Sequence, residues 1–185
     1  MGFKTALVTG ASRGIGRSIA LTLAANGYHL MITCHKNSDL LEAVKQYIES
    51  HFPVTCITFT GDMGDYLMVQ RMYSVFTKHF SSLDILVNNA GISHIGLLTD
   101  LSPEEWDHIL QTNLSSVFYT CRYGIPLMLR RKNGKIVNIS SVWGVAGASC
   151  EAAYSATKGG VNALTKALAK ELAPSNIQVN AIACG

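Results

Sequence analysis

A short β-forming run, Lys4–Thr9, leads straight into Thr9-Gly10-Ala11-Ser12-Arg13-Gly14-Ile15-Gly16, and a helical pattern starts inside that stretch. Few folds accept a strand that turns into a helix through three glycines. Gly10 permits a tight turn, and Gly14 lets another group approach the backbone with no Cβ in the way. Gly16 lets the helix pack closely on the strand. The helix N-terminus then presents unpaired N–H groups to an anion of phosphate size. A merely flexible turn would need one of these features, whereas the cradle reading needs the whole strand–turn–helix context, and that context is present.

Short apolar runs alternate with helical patterns along the rest of the chain. Strands are expected at Lys4–Thr9, His29–Cys34, Val54–Phe59, Ile85–Val87, Lys135–Ile139 and Ile177–Ala183. Helices are expected at Ile15–Asn26, Asp39–Ser50, Tyr66–Phe80 and Ala152–Leu172, and one from Pro103 toward Arg131 with a break near Asn113. The strands read as nearly continuous apolar runs, the signature of a parallel sheet covered on both faces. Strict β/α alternation implies right-handed crossovers and a doubly wound α/β sheet flanked by helices.

The 185 residues, 48% of them apolar and 15% charged, suit one domain with its own core, residues 1–185. Disorder and collagen-like repeats are excluded. A net charge of +3, scattered along the chain, argues against a nucleic-acid surface. Five dispersed cysteines and six dispersed histidines predict free buried thiols, a reducing cytoplasmic location and no metal site. The N-terminus enters a strand at once, Ala6 stands where a myristoylation signal needs Ser or Thr, and no apolar stretch reaches the length of a membrane span. No membrane partner is expected.

The G-x-x-x-G-x-G spacing of Gly10, Gly14 and Gly16 resembles the cofactor loop of the short-chain dehydrogenase/reductase family. Asn88-Asn89-Ala90-Gly91, Asn113, Ser141 and Tyr154-x-x-x-Lys158 match further motifs of that family, in order and along the whole chain. The resemblance implies a Rossmann-type fold and a nicotinamide cofactor. It places that cofactor against Gly10, Ser12, Arg13, Gly14, Ile15, Gly16, Lys36, Asp62, Met63, Asn89, Ala90 and Gly91, with Tyr154 and Lys158 at its far end. Strand two ends Thr33-Cys34-His35-Lys36, without the acid that would bond a ribose 2′-hydroxyl. Arg13 and Lys36, with His35 nearby, are placed to meet a 2′-phosphate, so NADP(H) is expected.

The resemblance also implies the chemistry. Tyr154 and Lys158 share one helix face. A free phenol is a poor acid or base at neutral pH, and a neighbouring ammonium stabilises its ionised form. Tyr154 would donate the proton to a ketone oxygen, Ser141 would hold that oxygen, and Asn113 would position a water linking Lys158 to solvent. The resemblance favours Ser141 over Ser140, because its gap to Tyr154 matches the one usual in the family. Ile92, Ser93, His94, Val142 and Trp143 flank the expected pocket.

Within the family the chain is most like 3-oxoacyl-[acyl-carrier-protein] reductases of fatty acid biosynthesis. The stretch from Trp143 to Glu151 also resembles a branch reducing a 5-aminopentanone group on elongation factor P, where Glu151 would meet an amine. Family members are homo-oligomers, dimers or tetramers, and continue past strand six into a helical segment and a seventh strand, about 60 residues more. The sequence ends at Cys184-Gly185, so a C-terminally short chain with strand six as an exposed edge is expected. That length carries an alternative of another class, a protein that binds cofactor without turnover.

Overall fold

The computed structural model of the chain describes residues 3–185. Six strands form a parallel sheet: β1 Thr5–Val8, β2 His29–Cys34, β3 Cys56–Thr60, β4 Ile85–Asn88, β5 Gly134–Ser141 and β6 Ile177–Cys184, in the order β3-β2-β1-β4-β5-β6. The helices are α1 Gly14–Ala25, α2 Ser38–His51, α3 Tyr66–His79, α4 Pro103–Leu110, α5 Ser116–Leu129, the single turn α6 Trp143–Ala146, and α7 Ala152–Leu172. This is the doubly wound architecture the alternation predicts.

Burial on both faces follows from strand alternation. Leu7, Met31, Leu86 and Ile136 point to a core layer built with Met72 and Phe76 of α3, Val117 and Met128 of α5 and Val161 of α7. Their neighbours Ala6, Val8, Leu30 and Ile32 point the other way, onto Ala20 and Ala24 of α1 and Leu41, Val44 and Ile48 of α2. A chain of buried polar groups crosses the first layer. Thr120 Oγ1 donates to Asn88 Oδ1 (2.6 Å), Asn88 Nδ2 to Asn138 Oδ1 (2.9 Å), and Asn138 Nδ2 to Thr165 Oγ1 (2.8 Å). It spans α5, β4, β5 and α7.

Helix starts follow local chemistry. Asp65 accepts from the Leu67 and Met68 amides to open α3. Ser102 and Glu105 form a reciprocal capping box before α4, with Pro103 at its first position. The expected break near Asn113 is a π-helical turn over Gln111–Ser115 that joins α4 to α5. Such turns add a residue to the helical repeat and re-aim the side chains within it. β5 continues two residues past the expected Ile139, carrying Ser140 and Ser141 on strand geometry.

The thiol expectation needs correcting in part. Cys34, Cys56 and Cys121 are free and buried, and burial pushes the thiols of Cys56 and Cys121 up to about 12. Cys150 is exposed and Cys184 half-buried, because both sit in segments with one side open.

Candidate active site

At the C-terminal ends of the strands lie two cavities that share Asn89, Gly91 and Ile92 and therefore adjoin. They meet between β1 and β4, where the strand order reverses; in open α/β sheets ligand crevices form at that point.

The first cavity, about 420 Å³, is built on the glycine loop. Gly10 has φ +66°, a left-handed conformation that costs other residues strain. A Cβ on Gly16 would collide with the Gly10 carbonyl and lie 2.5 Å from Asn89 Nδ2. The loop is thus locked by close approach, and Asn89 braces it, donating to the carbonyls of Thr9 (2.9 Å) and Gly10 (3.0 Å). Thr9 Oγ1 in turn accepts from the amides of Asn89 and Ala90, each at 3.0 Å. No side chain caps the start of α1 and no acid lies in its first turn. Its free N–H groups and positive dipole end face the cleft.

Gly10, Ser12, Arg13, Lys36, Asp62, Met63, Asn89, Ala90 and Gly91 all line this cavity; Gly14 and Gly16 do not, and Gly16 instead packs against the Gly10 carbonyl. His35 Nε2 stands 3.9 Å from Asp62 Oδ2, and Asp62 Oδ1 accepts from the Gly64 amide at 2.8 Å. Two buried hydroxyls, Thr33 Oγ1 and Thr112 Oγ1, have no partner among the described residues, and both residues line the cleft. Buried polar atoms are nearly always bonded. Both oxygens are closed off from the cleft, so they lie behind its lining; what fits a dinucleotide is the uncapped start of α1 beside Gly10, Ser12 and Arg13. Thr33 could have been found from its place near the C-terminal end of β2; Thr112 could not, because the π-turn aims it.

The second cavity, about 450 Å³, gathers Ser141, Tyr154 and Lys158 with Ile15, Trp143 and Glu151. Ser141 ends β5, and the other two lie in the first turns of α7. Lys158 is 5% exposed, donates to the Ile139 carbonyl at 2.8 Å, and holds its ammonium 5.5 Å from the Tyr154 ring centre. Burial holds its pKa below the usual lysine range, with Cys184 opposing weakly. The two serines are used differently. Ser140 Oγ turns to the Lys158 carbonyl (3.3 Å), while Ser141 Oγ accepts from the Trp143 amide (3.2 Å) and keeps its own proton free to donate into the cavity.

Asn113 is 1% exposed and does not line either cavity. Its Oδ1 accepts from the Ile92 amide (2.8 Å), and its Nδ2 donates to the Ile92 carbonyl (2.8 Å) and to Thr157 Oγ1 (3.2 Å). Beside the water-positioning expected of it, the side chain is a clamp on the loop after β4. His94 lies outside both linings, whereas Ile92, Ser93 and Cys184 lie within the second. Among the described residues, no three His, Cys, Asp or Glu side chains gather as a metal site requires, and no helix is long and apolar enough to cross a membrane.

The sequence profile described as short chain dehydrogenase matches residues 4–185. The chain belongs to the short-chain dehydrogenase/reductase family. This short-chain dehydrogenase is therefore an oxidoreductase that uses a nicotinamide cofactor. It is 45% identical over 182 residues to "3-oxoacyl-[acyl-carrier-protein] reductase FabG" of Staphylococcus aureus strain Mu50, covering 98% of this chain and 74% of that protein. It is 40% identical, over 98% of the chain, to "Uncharacterized oxidoreductase YmfI" of Bacillus subtilis strain 168, and covers 74% of it. A solved structure, "Crystal structure of a putative short-chain alcohol dehydrogenase from Sinorhizobium meliloti 1021", superposes with TM-score 0.92 at 36% identity, over 99% of this chain and 72% of that one.

Proposed function

We propose that this short-chain dehydrogenase is a single dinucleotide-binding domain that reduces a ketone with NADPH, and that the ketone is a 3-oxoacyl group on acyl carrier protein. The observation that carries the reading is one groove holding Ser141, Tyr154 and Lys158 at one end and Arg13 and Lys36 at the other. Arg13 and Lys36 would receive the 2′-phosphate and the α1 N-terminus the pyrophosphate. The nicotinamide, when bound, supplies the hydride.

The protein's own groups do the rest. Ser141 donates a hydrogen bond to the substrate carbonyl, and Tyr154 transfers its proton to the same oxygen as charge develops there. The buried Lys158 ammonium stabilises the resulting phenolate, and its one modest anchor at Ile139 leaves two N–H groups for that task. The relatives named 3-oxoacyl-[acyl-carrier-protein] reductase support the substrate. Acetoacetyl thioester with NADPH should be reduced, with KM for NADPH well below that for NADH. Equal use of NADH overturns the cofactor assignment, and no thioester turnover overturns the substrate.

One observation favours a second substrate, the 5-aminopentanone carried by elongation factor P. Glu151 lines the catalytic cavity, makes no ion pair among the described residues, and shares that lining with the exposed Trp143. A carboxylate and an aromatic face together suit an ammonium. A short aminoketone reduced faster than the thioester would establish it.

A further inference from the structure

Thr157 precedes Lys158, is fully buried, and has no contact with either cavity. Its hydroxyl donates to the Tyr154 carbonyl at 2.7 Å and accepts from Asn113 Nδ2 at 3.2 Å. A buried threonine hydroxyl in a helix is ordinarily satisfied by a carbonyl of its own preceding turn, as Thr157 is by Tyr154; the bond accepted from Asn113 is the one that leaves the helix. Here one hydroxyl joins three pieces of chain that are far apart in sequence: the first turn of α7, the π-turn between α4 and α5, and, through Asn113, the Ile92 loop after β4.

The loop that Asn113 grips lies close to the catalytic lysine. A Cβ placed on Gly91 would lie 3.2 Å from Asn113 Oδ1 and 3.6 Å from Lys158 Nζ. Where the loop sits therefore decides how much room the ammonium has, and where α7 sits decides how Tyr154 faces the cavity. We propose that Thr157 is a positioning residue, the joint that fixes the Tyr154–Lys158 turn of α7 to the Asn113-clamped loop forming the cavity floor. Without the hydroxyl, Asn113 loses one of its two donor contacts and the Tyr154 carbonyl loses its side-chain bond, while no group facing substrate or cofactor is removed. This rests on the assignment of Tyr154 and Lys158 as catalytic.

The test compares Thr157→Val, close in volume but without the hydroxyl, with Thr157→Ser, which keeps it, and with Tyr154→Phe. Misplacement of about an ångström costs up to about 10²-fold, so Thr157→Val should lose roughly tenfold in kcat with acetoacetyl thioester. KM for NADPH should stay within about twofold, because no cofactor contact changes. Amide hydrogen exchange should quicken at Ile92 and not in α2, and Thr157→Ser should restore both kcat and protection. Wild-type kcat and exchange in Thr157→Val overturn the proposal. So does faster exchange in α2 as well as at Ile92, which would make the residue a general packing element. Full turnover by Tyr154→Phe overturns the catalytic assignment instead and is read separately from the exchange data.

Discussion

Lys158 keeps a charged amine in a place that favours the neutral one. It is buried, bonded to a single carbonyl, and its pKa lies below the ordinary lysine range. In the unfolded chain the same amine titrates near about 10.4. Between the lowered folded pKa and that value the unfolded state binds more protons, so this group's contribution to stability rises with pH across that window. Lys158→Met should lack that rise, seen by following Tm against pH, while turnover is abolished. A Tm profile parallel to wild type would contradict the burial argument. At the groove's other end, removing Arg13 and Lys36 together should weaken NADPH binding by roughly tenfold or more and leave NADH unchanged, since only NADPH carries the 2′-phosphate to which they would make charge-assisted bonds. Equilibrium titration of both cofactors checks it. Gly10, Ser141, Tyr154 and Lys158 were legible in the sequence because their chemistry demands those residue types at set intervals. Thr112 and Thr157 were not, because threonine is common and its meaning here comes from what surrounds it.

At the level of elements, the glycine loop is defined by what cannot fit. A methyl group at Gly16 meets the Gly10 carbonyl and the Asn89 amide, so the strand–helix junction would have to open. Gly16→Ala should cost about 1–3 kcal/mol, a fall of roughly 3–10 °C in Tm, and lower NADPH affinity along with it. Thermal melts with and without NADPH measure both effects; an unchanged Tm would mean the junction is looser than its contacts imply. Most strands and helices were legible from period and caps, with α7 matching the expected Ala152–Leu172 at both ends. The short helix α6 was not, since four residues are too few to carry a helical period. Nor could periodicity tell a kink near Asn113 from the π-turn that occurs there. The difference matters, because the π-turn is what carries Asn113 to both Ile92 and Thr157.

Across the whole molecule, two apolar layers sandwich the sheet, yet the middle of one layer is polar. Thr120, Asn88, Asn138 and Thr165 form a buried line from α5 to α7. Removing one member should hurt more than removing two. Asn138→Ala leaves the Asn88 amide short of its acceptor and should cost about 1–3 kcal/mol by denaturant titration. Replacing Asn88 and Asn138 together by leucine leaves the threonines bonded to their own helix carbonyls, Ser116 and Val161, and should cost less. Equal losses would mean the line contributes nothing beyond volume. The amide pair also settles a question of alignment. Where one face of a strand is wet, a slip by one residue turns apolar side chains to water, and burial alone selects the register. β4 and the end of β5 are covered on both sides, so burial barely distinguishes one alignment from the next. Asn88 lies directly opposite Asn138 in the native ladder. Any slide of β5 along β4 strands both amides among aliphatic carbon. The two asparagines act as a key that admits one alignment, and with it the placement of Ser141 in the cavity that Tyr154 also lines.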